Sequence, residues 1–292
     1  MRLGIVTPVL TLLPGAHAKW EDDGSFDDVI EIARAADRLG YDHLTCSEHV
    51  VVPTDIAAVR GGRYWDPLAT FGYLAAVTES IRLTTSVLVL GYHHPLEIAK
   101  RYGTLDQVSG GRLILGVGVG SLEAEFDLLG ADFADRGARA DDSMRALRAA
   151  MSSSRPRYDG PYFRFDGVEL DPVALQERVP MWVGGRTARS LRRATELGDG
   201  WCPFGLSFDE LDTMITAARS TDAWHRRTAP LDLVLQAPRA FDPLGDRDAT
   251  TAGLRALHDA GATVVSLRLV HRSRSHYIEQ LEAMIEVAAT ER

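Results

Sequence analysis

Residues 101–120, RYGTLDQVSGGRLILGVGVG, decide the fold. A helical run ends at Ser109-Gly110-Gly111, and a short apolar strand over 113–117 follows at once and runs out through Gly116, Gly118 and Gly120. A helix that turns through glycine straight into an apolar strand is one unit of a parallel α/β sheet. Ligands of such sheets bind beyond the carboxyl ends of the strands, and glycine there leaves backbone bare enough for a phosphate or a flat ring to approach. The stretch therefore predicts a bound cofactor at this strand end.

The same rhythm continues in both directions. Strands are expected at 3–7, 43–47, 83–90, 113–117, 181–183, 200–204, 231–238 and 264–270, with amphipathic helices at 26–39, 67–77, 95–108, 141–151, 188–197, 208–218, 252–260 and 277–289. In a chain of 292 residues, about eight βα repeats with no second pattern after them predict one α/β domain, a (β/α)8 TIM barrel. Gly40, Gly198 and Gly261 each close a helix just before a strand, the place of a left-handed C-cap. Two polar segments with Pro and Gly, 50–65 and 152–176, are too long for ordinary connections and are expected as loop insertions over the C-terminal mouth.

Composition narrows the class. A net charge of -9 argues against non-specific nucleic-acid binding, which needs a basic face, so an anionic small ligand would need a local arginine cluster. Cys46 and Cys202 each lie in an apolar run outside any metal or redox spacing, so both are expected reduced and buried. The first residues enter a strand directly, and no apolar run approaches the roughly 20 residues of a membrane span, which predicts a cytoplasmic protein.

Active sites of such barrels sit at the C-terminal ends of the strands. Glu48-His49 stands where the second strand gives way to a long loop. A histidine there can donate a hydrogen bond to a cofactor ring or move a proton, and the carboxylate beside it can tune its pKa. It can equally do no more than satisfy a loop carbonyl, and position alone leaves both readings open. Gly184-Gly185-Arg186-Thr187 lies between the fifth strand and the next helix, with Arg189 one turn on. Backbone N–H groups at a helix N-terminus beside a hydroxyl and an arginine form a phosphate cradle; a plain tight turn is the alternative. His93-His94 follows the third strand, but adjacent side chains rarely converge on one ion and no nearby acid or histidine completes a set, so no metal is expected. Glu123 and Glu125 follow the fourth strand as catalytic acids or, more commonly for such residues, as solvated or helix-capping carboxylates. Arg136 and Arg139 share a helical face suited to pairing with Glu125 or Asp141. Trp20, Tyr64 and Trp65 are either aromatic walls of the mouth or loop packing.

In order along the chain, these residues carry a resemblance. Thr84-Thr85-Ser86-Val87-Leu88-Val89-Leu90, His94-Pro95, Ala99-Lys100, Thr104-Leu105-Asp106, Ser109-Gly110-Gly111-Arg112 and Gly116-Val117-Gly118-Val119-Gly120 resemble the central block of the luciferase-like monooxygenase superfamily. Glu123-Ala124-Glu125-Phe126, Arg136-Gly137-Ala138-Arg139 and Asp141-Asp142 continue it. The likeness covers residues 1 to about 205, with the remainder alike in layout, and is to the F420-dependent branch more than to the flavin-mononucleotide branch. It implies that His49 lies at the deazaflavin ring near the hydride-transfer centre, with Glu48 where family members often carry Asp. It implies a non-prolyl cis peptide at Ser86-Val87 that bulges beneath the ring, and a place for His94 at the ring edge. The cofactor phosphate would rest on Gly184, Gly185, Arg186 and Thr187 together with Val119 and Gly120. Some F420 enzymes have a hydroxyl residue where Val119 stands, so one phosphate contact is absent here. A homodimer is also compatible with the family.

The expected function is accordingly an F420-dependent oxidoreductase that moves hydride between the deazaflavin and a small-molecule substrate. Its rival on the same fold is a monooxygenase using reduced flavin mononucleotide (FMN) and oxygen. Arg186, Arg189, Arg192 and Arg193 favour the longer, more anionic cofactor. A non-enzymatic cofactor carrier and a metal-dependent barrel hydrolase are the more distant alternatives.

Overall fold

Eight parallel strands close on themselves. The computed structural model describes residues 1–290. Its ring runs β1 (Arg2–Ile5), β2 (His43–Cys46), β3 (Arg82–Thr85), then β4 (Leu88–Val89), which continues β3, β5 (Leu113–Gly118), β8 (Met181–Gly184), β9 (Gly200–Cys202), β10 (Asp232–Leu235) and β11 (Val264–Leu267). Parallel pairing of Leu3 with Val265 at one seam and of Leu83 with Leu113 at another leaves no open edge. The helices between strands are α1 (Phe26–Arg38), α3 (Pro67–Val77), α4 (Pro95–Val108), α6 (Arg136–Ala150), α7 (Ala188–Leu197), α8 (Phe208–Arg219), α10 (Arg247–Asp259) and α11 (Arg274–Thr290). This is the TIM barrel that the sequence predicts, with all eight strands in place. Helices α6 and α10 begin earlier than expected, at 136 and 247; for α10 the reason is Asp246, whose side chain accepts from the Ala249 amide at 3.0 Å.

Strand alternation sorts the side chains into two layers. Leu44, Leu83, Leu113, Leu115, Val183, Leu233 and Val265 point outward into the main core beneath the helices. Ile114, Trp182, Val234 and Val264 point inward and form a separate cluster inside the ring. The two bulkiest rings there need space: a Cβ on Gly4 would collide with His43, and one on Gly200 with Trp182. Cys46 is buried and Cys202 partly exposed, both as free thiols.

The third strand carries one residue too many. Leu83 and Thr84 pair with Leu113 and Ile114, whereas Leu88 and Val89 pair with Val117 and Gly118. Thr85, Ser86 and Val87 thus stand opposite only Leu115 and Gly116, which makes a β-bulge, and the Ser86-Val87 peptide within it is cis. The glycines that open the sequence argument serve this bulge. A Cβ on Gly116 would collide with the Thr85 carbonyl oxygen, while Cβ atoms on Gly118 and Gly184 would stand 2.5 and 2.7 Å from the two methyl groups of Val87. Thr85 Oγ1 donates to the Gly116 carbonyl at 2.7 Å and ties the two strands across the site.

Three details depart from expectation. Gly40 (φ 77°) and Gly261 (φ 90°) are left-handed as predicted, but Gly198 is extended (φ -99°). It is glycine because a Cβ would sit 3.0 Å from Val183 Cγ2 and 3.1 Å from the Met181 carbonyl oxygen. Segment 50–65 does lie at the mouth, where it folds the short helix α2 (Thr54–Arg60). Segment 152–176 starts and ends at the opposite, N-terminal face, where the Gln176 side chain bonds Asp106 (2.8 Å) and the Leu113 carbonyl (2.9 Å). Only its hairpin, β6 (Tyr158–Asp159) and β7 (Arg164–Phe165), climbs the flank until Phe163 meets His94. The short helices α5 (Glu123–Leu129), which follows β5, and α9 (Asp222–His225) lie outside the helix ranges expected from the sequence.

Gly116→Ala is expected to lower stability by about 1–3 kcal/mol through forced displacement of the bulge. Gly72→Ala, at an exposed position of α3 with nothing near the added Cβ, is expected to raise it by about 0.5–1 kcal/mol. Urea unfolding of the two variants beside the parent checks both signs.

Candidate active site

Successive side chains of an extended segment point to opposite sides, and this separates Glu48 from His49. Glu48 is buried and turns toward the third strand: Oε2 accepts from the Val89 amide at 2.7 Å and Oε1 from His93 Nε2 at 2.7 Å. The sequence reading in which Glu48 tunes His49 is therefore corrected, since its partner is His93. Burial works against the charged form of His93, but the hydrogen bond and charge of Glu48 outweigh it and hold the pKa above the ordinary value.

His49 finds a different carboxylate. Its Nδ1 lies 2.5 Å from Glu125 Oε2, on α5, and Glu125 is fully buried. Tyr92 Oη donates to the same oxygen at 2.7 Å, while the Val50 and Val51 amides donate to Oε1 at 2.7 and 3.2 Å. A carboxylate accepts, so Nδ1 of His49 carries a proton and Nε2 is the ring nitrogen left over. Among the described residues Nε2 has no hydrogen-bond partner, and the ring is braced edge-on by Tyr64 at 4.5 Å between centroids. Burial first, then the bond to Glu125, raises the Tyr92 pKa, so its hydroxyl stays a donor. α5 is pinned by Phe126, whose ring fills the space that Cβ atoms on Gly91 and Gly120 would need.

The bulge forms the floor between these groups and the far rim. Ser86 and Val87 are half-buried; the Ser86 carbonyl accepts from Ser47 Oγ at 2.9 Å, and Val87 sits over Gly118 and Gly184. At the end of β8, Gly185 adopts φ 135°, where a Cβ would also press on Ser190. Thr187 caps α7 by accepting from the Ser190 amide at 3.3 Å, and Ser190 Oγ accepts in return from the Thr187 amide at 3.2 Å. The amides of Arg186, Ala188 and Arg189 have no protein partner among the described residues, and the Arg186 guanidinium hangs 5.9 Å from the Phe204 ring without an ion pair. An N-terminal turn with unpaired amides and an unpaired cation suits an anion. Arg192 and Arg193 are spent on Asp141, with Arg192 also on Glu196 at 2.7 Å, which removes them from that cradle.

The other expected residues scatter. His94 is exposed and caps α4, its Nδ1 accepting from the Leu96 amide at 3.2 Å, with its ring against Phe163. Val119 and Gly120 follow β5, and the Gly120 carbonyl is taken by Arg136 Nε at 3.2 Å, so Arg136 does not pair with Glu125. Arg139 pairs with Asp132 and Asp135 rather than with Glu125 or Asp141. Trp65 stacks on Phe26 at 5.1 Å, which makes it packing, whereas Tyr64 touches His49. Glu125 was foreseen only as an acid or a cap. What marked it was its place just beyond a strand end beside the buried Phe126.

A family model described as luciferase-like monooxygenase matches residues 1–285. The chain belongs to this family. Among luciferase-like relatives, 4-hydroxyprotoasukamycin monooxygenase of Streptomyces nodosus subsp. asukaensis is 31% identical over 227 residues, 73% of this chain and 58% of that protein. F420-dependent glucose-6-phosphate dehydrogenase of Nakamurella multipartita is 28% identical over 222 residues, 74% of this chain and 64% of that one. The crystal structure of monooxygenase RslO1 from Streptomyces bottropensis superposes with a TM-score of 0.81 at 20% identity, covering 100% of this chain and 99% of that one. The luciferase-like fold thus serves both F420-dependent enzymes and monooxygenases among the relatives.

Removing Glu125 strands four donors. Glu125→Ala is expected to cost about 2–4 kcal/mol in urea unfolding, against less than about 0.5 kcal/mol for Glu123→Ala, whose side chain is exposed. His93 supplies a pH signature. Because its folded pKa is raised, its contribution is fully present below the ordinary histidine value of about 6.5 and is lost as pH rises through the folded value. The stability gap between the parent and His93→Gln is therefore expected to be widest near about pH 5–6 and to narrow at higher pH.

Proposed function

We propose that this luciferase-like chain is an F420-dependent oxidoreductase acting on a small organic substrate at the mouth of the barrel. The observation that carries this is His49: its Nδ1–H is fixed on a buried carboxylate and its Nε2 is left unpartnered where the second strand gives way to the mouth loop. That arrangement orients the imidazole, stabilises it when protonated, and presents one nitrogen for proton exchange. When bound, the deazaflavin supplies the carbon that gives or takes hydride.

The chain's own residues divide the remaining work. His49 Nε2 gives or takes the substrate proton that accompanies hydride movement. Glu125 and Tyr92 hold His49, and Glu48 with His93 holds the strand that follows the bulge. Gly185, Arg186 and the first amides of α7 hold the cofactor's anionic end, with Arg189 adjacent. The fit rests on the unpaired cation and amides at that helix start, and kinship with an F420-dependent dehydrogenase supports it.

A second reading keeps the site and replaces the cofactor with reduced FMN, making the chain a monooxygenase. The 31% identity to a monooxygenase favours it. So does the loss of Arg192 and Arg193 from the anion cradle, since a monophosphate needs fewer cations.

Titration of the purified protein with F420 and with FMN under identical conditions decides between the two. Tighter F420 binding is expected; tighter FMN binding with oxygen uptake on adding reduced flavin would establish the rival. Arg186→Ala is expected to weaken the cofactor by about 10- to 150-fold, the equivalent of one charge-assisted hydrogen bond, and most at low salt. Arg192→Ala is expected to leave affinity unchanged. His49→Ala is expected to lower kcat by about 10²- to 10⁴-fold with cofactor affinity and Tm nearly intact; a lowered Tm with normal kcat per folded molecule would make His49 structural.

A further inference from the structure

Between the ends of β1, β2 and β11 lies a cavity of about 150 Å³. A space of that size accommodates a molecule of about six carbon atoms. Its wall includes Thr7, Thr45 and Ser47, the histidines His17 and His271, and Arg268, the first residue after β11. Ser47 connects it to the bulge through the 2.9 Å bond to the Ser86 carbonyl, and His49 follows two residues later. The cavity thus adjoins the bulge through Ser47.

Arg268 is the unusual member. Its Nη2 donates to the Ala237 and Pro238 carbonyls at 3.0 and 3.1 Å, which fixes the guanidinium plane. Nε is buried without a partner, and among the described residues no carboxylate pairs with this side chain. A partly buried cation with spare donors and no counter-ion is costly unless something supplies the missing charge. The one acidic side chain on the wall is committed elsewhere: Glu21 accepts from the Val9 and Ala18 amides, each at 2.7 Å, and lies 3.6 Å from His271 Nε2. Nδ1 of His271 accepts from Trp20 Nε1 at 2.9 Å, and burial pushes this imidazole down to about 4, so at neutral pH it adds no charge. Thr7 and Thr45 exchange backbone bonds in which each hydroxyl accepts, at 3.4 and 3.1 Å, leaving both O–H groups to donate.

We propose that this cavity is the substrate's anion subsite, in which Arg268 grips a carboxylate or phosphate while Thr7 and Thr45 donate to it. The substrate is then a small organic acid or a small phosphate ester. This rests on the mouth being the reaction chamber, and it does not depend on which cofactor serves there.

Calorimetric titration of the whole protein with propionate, inorganic phosphate and the neutral isostere propionamide tests the subsite without any cofactor. Saturable binding of propionate, of phosphate or of both is expected, and the stronger of the two identifies the substrate's anionic group. Propionamide is expected not to bind. Arg268→Gln is expected to weaken the anion at least tenfold and Arg268→Lys to retain part of the affinity, with F420 affinity unchanged in both. The proposal is overturned if neither anion binds, if propionamide matches propionate, or if Arg268→Gln binds anions as the parent does. Loss of F420 affinity in the variants would overturn it too, by making Arg268 a cofactor ligand. Should Arg268→Gln fail to fold, the lysine variant and the comparison of acid with amide still decide. Anion binding through Arg268 in a protein that ignores F420 would leave the subsite standing and remove the F420 reading alone.

Discussion

One extra residue in the third strand sets the shape of everything above the barrel. Thr85, Ser86 and Val87 occupy a length that faces two residues on β5, so the chain must swell toward the ring interior and the mouth. It can do so only because its neighbours lack side chains. Gly116 yields to a carbonyl oxygen, and Gly118 and Gly184 yield to the two methyls of Val87. A close-packed interior has no slack for such a swelling otherwise. Three strands are thereby coupled at one residue: β4, β5 and β8 share the Val87 side chain. The floor of the mouth is consequently a rigid feature of the barrel rather than of a loop, which is what a site needs to hold reacting groups in position.

Above that floor, two carboxylates are buried, and each is matched where it lies. Glu48 takes the Val89 amide and His93; Glu125 takes two amides, Tyr92 and His49. Pairing at this level is required because an unmatched buried charge would be expelled or neutralised. The two histidines are alike in exposure, and each keeps a second ring nitrogen without a partner among the described residues. The pairs differ in what surrounds them: Glu125 gathers Tyr92 and two loop amides beside His49, whose ring Tyr64 braces edge-on, whereas Glu48 ties His93 to the amide of the strand that follows the bulge. The first pair belongs to the loop at the mouth and the second to the third strand, and the proposed proton exchange rests on that placement.

The barrel was legible because its signals are local and repeated. Short apolar runs alternating with longer amphipathic ones, and glycines such as Gly40 and Gly261 at helix ends, act within a few residues, and all eight strands follow from them. The site was legible only in part. His49 is marked by its position at a strand end, but its partner lies 76 residues away on a helix the pattern did not reveal. Adjacency in sequence pointed to Glu48, and the geometry of extended chain sends neighbours to opposite sides. The opening glycines were legible as glycines, but one purpose they serve was not: Gly116 and Gly118 make room for the bulge and Gly120 for Phe126. The cis peptide at Ser86-Val87 has no signature in its own residues and came from family likeness. Arg268 sat unnoticed in LRLVHR because nothing in that run says that its charge goes unanswered.

Charge placement around the ring gives these parts a common logic. The unpaired amides and Arg186 stand at β8, fifth in the ring, while Arg268 stands at β11, the eighth, adjacent to β1. Between them, counting through β1, β2 and β3, come His49 and the bulge. A protein of net charge -9 has no general attraction for anions, so in the proposed assignment Arg186 and Arg268, three strands apart on one mouth, act as separate anchors rather than as a diffuse field. The two buried carboxylates between them are each matched by a histidine, and Arg60, bonded to Ser121 at 2.9 Å, adds a further cation on the loop above. An anionic cofactor held at one anchor and an anionic substrate at the other would be kept apart by like charge, so that only their uncharged parts would meet in the mouth, where the proposed function places His49 Nε2.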